Sequence, residues 1–403
     1  MKRIQSIDLL RGLGVFFVII LHTAFYYFDG IYDVDMDNPS LIITLIGFLL
    51  MFAGLFAMLS GASYTLQFLH TKDQKQRIKH MGLSGALMMV IAYLYFIFTG
   101  PGIINFDTRS MDESLLVSLI RDGKFQTLTL ERLFYVDSLV MIALNIWLLT
   151  LLFHLIKKWI YHEKAALYIL VGATLFMGLS YIRIPLYNVY LDARDSNNYV
   201  LWVLLNYFVS KNNPIFPFFA FALFGVWVGL LINRKDDTHM RKWMIPVALF
   251  YIVIGVTGYI LAPETMLERA IDPTWYFIMV IQIGLFLAMI LGAYYLYDVK
   301  KRKLNPVSRF IQRFGVAGLT PFFFEQITSA LIFGVITLFF DLKLDIPLAI
   351  IFGVIHVTLW GFVLKYWSTK GYKYSLEWGF SQMINRISVS SKLQALEGKD
   401  GIH

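Results

Sequence analysis

Cysteine is absent from the 403 residues, so the chain has no disulfide and no thiol on which an acyl group could ride. Charge is scarce as well. Asp, Glu, Lys and Arg together make 15% of the chain, against about 25% in soluble domains. With eleven prolines and no Gly/Ser/Pro-rich linker or charge block, nothing divides the chain into separate units. The economical division is one membrane domain, residues 1–368, followed by a short cytoplasmic tail, 369–403. Three chemical signatures are missing too. There is no G-x-S-x-G nucleophile turn, no Gly-rich phosphate loop and no H-x-x-x-H pair, so a serine hydrolase is not indicated and no metal is expected.

What fills the chain instead is apolar. Hydrophobic residues reach 58% and mean hydropathy is +0.64. A bilayer core of about 30 Å takes roughly 20 apolar residues per helix. Ten such stretches lie near 9–28, 41–69, 79–99, 133–156, 165–184, 214–233, 243–262, 274–297, 315–340 and 346–367. They are long and continuous, without the ten-residue apolar/polar alternation of a barrel, so the expected fold is all-α and polytopic. Tyr199 to Ser210 is apolar but too short to span alone, and reads as re-entrant or interfacial. The N-terminal Met1-Lys2-Arg3 and its apolar run read as a retained first helix, since no A-x-A-like exit follows.

The location of the positive charge explains the pI near 9.3 without nucleic acid. With the N-terminus in the cytoplasm, the loops and termini on that side hold 25 of the 35 Lys and Arg and the outward loops nine. That bias predicts both termini inside a multi-pass cell (inner) membrane protein. The outward loop DGIYDVDMDNPS at 29–40 has four Asp and no basic residue. Two inward stretches, HTKDQKQRIKH at 70–80 and VKKRKLNPVSRFIQR at 299–313, are dense enough to hold the phosphates of a cytosolic donor or to face lipid headgroups. GVWVG, Gly225 to Gly229, lets helices approach closely and leaves a homodimer open.

The first apolar run carries Asp8, Arg11 and His22. Eleven helical steps of about 100° separate Arg11 from His22, within about 20° of a whole number of turns. They share a face. Asp8, three residues before Arg11, is spaced to pair with it, and His22 lies about 16 Å further along the helix. Polar groups this deep face a partner or a water-filled cavity. Asp137 and Glu325 are further acids inside apolar runs, each able to orient His22, to hold a protonated acceptor, or to pair within the core. His356 reads as a packing residue, and Arg183 as a side chain at an outer helix end.

RIQSIDLLRGLGVFFVIILHTAF at 3–25 resembles the opening of the transmembrane acyltransferase superfamily (acyltransferase-3), in which Arg and, eleven positions on, His recur on the first helix. FAMLSGASYTL at 56–66 and FPFFAFALFGVWVGLLI at 216–232 resemble the branch related to heparan-alpha-glucosaminide N-acetyltransferase. GVAGLTPFFFEQ at 315–326 and YKYSLEWGF at 372–380 resemble bacterial membrane proteins of the same superfamily. Relatives often carry His or Tyr in the LTPFFFEQIT region, where this chain has Glu325 and Thr328. The resemblance implies transfer of an acyl group, by default acetyl from cytosolic acetyl-CoA, to a sugar hydroxyl or amine of an extracytoplasmic carbohydrate or glycolipid. It makes His22 the catalytic histidine, as general base or as the acylated residue. It makes Arg11 a donor-side or structural arginine supported by Asp8. Glu325 and Asp137 join the candidate site, and Lys300, Lys301, Arg302 and Lys303 join Arg11 as candidate contacts for acyl-CoA. The competing reading is a proton-coupled transporter or flippase without acyl chemistry, which buried acids and prolines near helix ends would also suit.

Overall fold

The computed structural model describes residues 3–34, 40–50, 52–106, 108–262, 271–340 and 343–387. Its helices in chain order are α1 (Gln5–Tyr27), α2 (Leu41–Leu50), α3 (Ala53–Leu69), α4 (Gln74–Leu94), α5 (Leu115–Asp122), α6 (Leu130–Leu133), α7 (Ser138–Ile156), α8 (Ala165–Leu179), α9 (Arg183–Asp195), α10 (Tyr199–Val209), α11 (Ile215–Asn233), α12 (Asp237–Leu261), α13 (Pro273–Tyr294), α14 (Pro306–Val316), α15 (Leu319–Thr337) and α16 (Ile346–Ser368). A small antiparallel hairpin, β1 (Ile103–Asn105) and β2 (Ser110–Asp112), precedes α5. The chain is an all-α polytopic membrane protein. Among the described residues nine helices are long and apolar enough to cross a bilayer.

Local chemistry sets the helix starts. Asp73, Asp137, Asp236, Asp272 and Asp345 each stand one residue before a helix and accept a backbone N–H from its first turn. The apolar run 41–69 does not continue as one helix. Its first half, α2, packs on α1, and its second half, α3, packs chiefly on α11, so the two pieces follow different neighbours. The run beginning at Ala165 is longer than its hydropathy suggests and stays helical through a short tight turn to Asp195. Arg183 opens α9, directly after that turn. Far from reaching an outer surface, it is buried, donates to the carbonyls of Val209 and Ser210, and lies 4.1 Å from the Trp275 ring centre.

α11 is the central helix, with 94% of its apolar window buried. It meets α3 backbone to backbone. A methyl group at Gly225 would lie 2.0 Å from the Met58 carbonyl oxygen, and one at Gly61 2.1 Å from that of Ala222. Gly225→Ala is therefore expected to push the two helices apart and cost about 1–3 kcal/mol, read as a lower thermal midpoint of the purified protein. Gly172→Ala, on α8 with nothing within 4 Å, is the control and should leave the midpoint unchanged or raise it.

α1 is held in the same close way. Gly315 of α14 has the Asp8 carbonyl oxygen 1.8 Å from where a Cβ would stand, and Gly353 of α16 has that of Ile20 at 2.5 Å. The start of α1 is fixed by Asp298, whose Oδ1 and Oδ2 accept from the backbone N–H groups of Gln5 and Ser6 at 2.9 and 3.0 Å. Beyond α16 the chain folds back, and residues 376–387 are helical. Glu377 there accepts from the backbone N–H groups of Leu319 (2.5 Å) and Thr320 (3.2 Å) and from the Thr320 hydroxyl (2.7 Å). A carboxylate on first-turn N–H groups matches the positive end of the helix dipole, so this segment fixes the start of α15.

Candidate functional site

The polar face of α1 is built as its period requires. Asp8 is buried, accepts from Arg3, and lies 3.7 Å from Arg11. Arg11 also donates to the Ser63 hydroxyl of α3 at 3.1 Å and to the Gly315 carbonyl of α14 at 3.4 Å. One guanidinium thus ties three helices together. The close α1–α14 contact at Gly315 is what brings that carbonyl within its reach.

Further along the same face, His22 Nδ1 lies 2.6 Å from Glu325 Oε1. Glu325 is fully buried on α15, and its Oε1 also accepts from the Tyr95 hydroxyl at 3.0 Å. Phe322, one turn before Glu325, sets its ring 5.9 Å from the imidazole and 4.9 Å from the Tyr95 ring. Asp137 caps α7 through Oδ1, which accepts from the Val140 N–H at 2.8 Å, while its buried Oδ2 has no hydrogen-bond partner among the described residues. It lies within electrostatic reach of His22 and Tyr95. Two of the acids named from the sequence, Glu325 and Asp137, therefore lie near one imidazole.

His356 stands apart from this group. Its Nδ1 meets the Thr23 hydroxyl at 2.9 Å and its Nε2 the Thr328 hydroxyl at 2.8 Å, so both ring nitrogens are occupied in helix packing.

Two cavities open at opposite ends of α1. At its C-terminal end a cavity of about 820 Å³ is lined by His22 and Tyr26 of α1, by Asp112, Glu131 and Tyr135, and by Tyr187, Tyr190 and Arg194 of α9. Charges of both signs and several aromatic rings suit a polar ligand with apolar faces. Beside it, Glu113 is buried against Arg121, 2.5 Å away; burial pushes its carboxyl above the usual range and the guanidinium opposes the push. Arg121 also lies over the Tyr26 ring at 4.8 Å, which fixes that wall of the cavity.

At the N-terminal end of α1 a cavity of about 1070 Å³ is lined by Arg3, His70, Lys235, Lys301, Arg302, Lys303 and Arg309, with Asp298 as the acid among them. Six side chains that carry full positive charge converge there. Lys301, Arg302 and Lys303 were legible as a basic run, and the structure brings them together. Lys300 instead turns to the Tyr295 ring, 4.9 Å from its centre, and Arg11 lines neither cavity.

The sequence reading missed Tyr95, which sits in an aromatic run, YLYFIF, that looks like lipid-facing surface. It also missed Arg3 and Lys235 as cavity walls. A tyrosine deep in an apolar run was the available signal, because a buried hydroxyl needs a partner.

The family model described as heparan-alpha-glucosaminide N-acetyltransferase, catalytic, matches residues 3–259. No curated protein matches the chain. The matched segment contains Arg11, His22, Tyr95 and Asp137, and ends before Glu325 and the Lys301–Lys303 run.

Proposed function

The chain belongs to the heparan-alpha-glucosaminide N-acetyltransferase catalytic family, a family of membrane acetyltransferases, and from that premise we propose that it moves an acetyl group from cytosolic acetyl-CoA to an amine or hydroxyl of an extracytoplasmic carbohydrate or glycolipid. In this reading both termini are cytoplasmic and the basic cavity is the donor side. Arg3, Lys235, Lys301, Arg302, Lys303 and Arg309 would hold the donor's phosphates, since Lys and Arg are their natural partners. The cavity at the other end of α1 would hold the acceptor.

The observation that carries the reading is His22, an imidazole that lines the acceptor-side cavity while its Nδ1 is held by a fully buried carboxylate. With Nδ1–H committed to Glu325, Nε2 is the nitrogen that takes a proton. His22 removes it from the acceptor as the acceptor's nitrogen or oxygen attacks the thioester carbonyl. The carbon–sulfur bond breaks, and the departing thiolate takes the proton from the imidazolium. Glu325 stabilises that imidazolium while it exists.

The test is purified protein in nanodiscs given radiolabelled acetyl-CoA and an aryl α-glucosaminide. Labelled N-acetyl product supports the reading. Protein that neither binds, hydrolyses nor exchanges acetyl-CoA overturns it and leaves the carrier without chemistry. In the same assay, alanine at Lys301, Arg302 and Lys303 together is expected to raise the KM for acetyl-CoA about tenfold or more with little change in kcat. These side chains are exposed, so each contact counts for only about 0.5–1 kcal/mol. A rise in KM that vanishes in high salt would mark it as electrostatic.

A further inference from the structure

Tyr95 is 1% exposed, and its hydroxyl donates to the one oxygen of Glu325 that also meets His22. The other oxygen, Oε2, has no hydrogen-bond partner among the described residues. The carboxylate is thus fixed at a single atom, from two directions. One donor is the imidazole that has to be held, so the phenol is the anchor independent of it. Its own placement is unusual. Residues Tyr95–Thr99 form a π-helical turn at the end of α4, closed by the Gly100 N–H on the Tyr95 carbonyl at 2.6 Å. Such single wide turns in α-helices are frequent at functional sites. Arg132 secures this one, donating to the Phe96 carbonyl at 2.6 Å with its guanidinium carbon 4.8 Å from the Phe96 ring centre. Phe322 packs on the Tyr95 ring.

We propose that Tyr95 is a positioning residue for the acetyl transfer. Its hydroxyl holds Glu325 in the orientation that keeps the proton of His22 on Nδ1 and leaves Nε2 as the base. The proposal rests on the reading of His22 as that base. Without the phenol's hydrogen bond the carboxylate is free to turn about its last torsion, and the imidazole loses its fixed tautomer. Nothing in this role involves donor binding, so KM is not its readout.

Tyr95→Phe keeps the ring against Phe322 and removes only the donor. Its kcat is expected to fall about tenfold, the size of one hydrogen bond, with the KM for acetyl-CoA within about twofold of wild type. With ¹⁵N-labelled histidine, the signal lost in His22→Ala identifies His22. That signal should report one tautomer, Nδ1–H, in wild type and a mixture in Tyr95→Phe. In a Glu325→Gln background Tyr95→Phe should cost no further activity, because the two act through one contact. 3-Fluorotyrosine at position 95 keeps both shape and donor and should restore kcat.

Unchanged kcat and an unchanged His22 tautomer in Tyr95→Phe would overturn the proposal while leaving His22 as the base. So would losses that multiply with Glu325→Gln, or a fluorotyrosine protein as slow as the phenylalanine one. Wild-type transfer by His22→Ala would instead remove the base reading itself. The tautomer measurement tells these apart, since it needs no turnover.

Discussion

Alanine in place of His22 is expected to lower kcat for acetyl transfer by about 10²–10⁴-fold, the range a positioned general base contributes. The KM for acetyl-CoA should stay within about twofold, since the basic cavity that would hold the donor opens at the other end of α1. Folding should largely survive, because the imidazole borders a cavity and its loss leaves no sealed void. The cost that does remain lies with Glu325. Its Oε1 keeps only the Tyr95 hydroxyl, so the fully buried carboxylate loses one of two donors. His22→Asn, with an amide to donate toward Glu325 and no basic nitrogen, separates the two effects. It should recover the thermal midpoint and none of the kcat. A rapid-quench experiment with labelled acetyl-CoA and no acceptor then divides the two chemistries. Label left on His22 indicates an acylated intermediate, and a clean protein indicates direct transfer with His22 as base.

Much of this site was legible because it lies along one helix. The period alone placed Arg11 and His22 on one face and Asp8 beside Arg11, and the structure keeps all three there. Glu325 stood out as an acid in an apolar run, where burial forces a partner. Its partner, though, is 303 positions away in sequence, a distance no local spacing reports. Tyr95 was hidden for a different reason. It stands in the aromatic run YLYFIF, where nothing local separates a buried ring from a lipid-facing one. The basic cavity was half visible. Lys301, Arg302, Lys303 and Arg309 lie in one basic stretch, whereas Arg3 and Lys235 reach it from two other parts of the chain. Hydropathy also drew 41–69 as one span, since a window average counts apolar residues and says nothing of which neighbour each half packs against.

Arg132→Met is expected to cost more stability than any other single change considered, about 3–5 kcal/mol, because it strips a buried cation from the polar groups arranged around it. Arg132 is 1% exposed. Its Nε donates to Asp112 Oδ1 at 2.9 Å, and its Nη atoms donate to the carbonyls of Phe96 (2.6 Å), Pro101 (3.2 Å) and Asp112. Methionine fills much of the volume but donates nothing, so three carbonyls and a carboxylate oxygen lose their donor together. Lysine should not rescue it, since a single ammonium cannot reproduce a planar fork that serves several acceptors at once. Asp112→Asn should be milder, because the three carbonyls keep their donor. The functional consequence follows from where those acceptors lie. Phe96 directly follows Tyr95 in the π-helical turn that Tyr95 opens, and Asp112 belongs to the hairpin strand β2 at the rim of the cavity that His22 lines. One side chain therefore couples the wall of that cavity to the geometry of the proposed base. At a temperature where the variant is still folded, kcat in Arg132→Met should already be reduced. In Gly225→Ala, whose damage lies at the α3–α11 contact, kcat should hold until the protein unfolds. Equal loss of activity and of thermal midpoint in both variants would show that Arg132 only supports the fold.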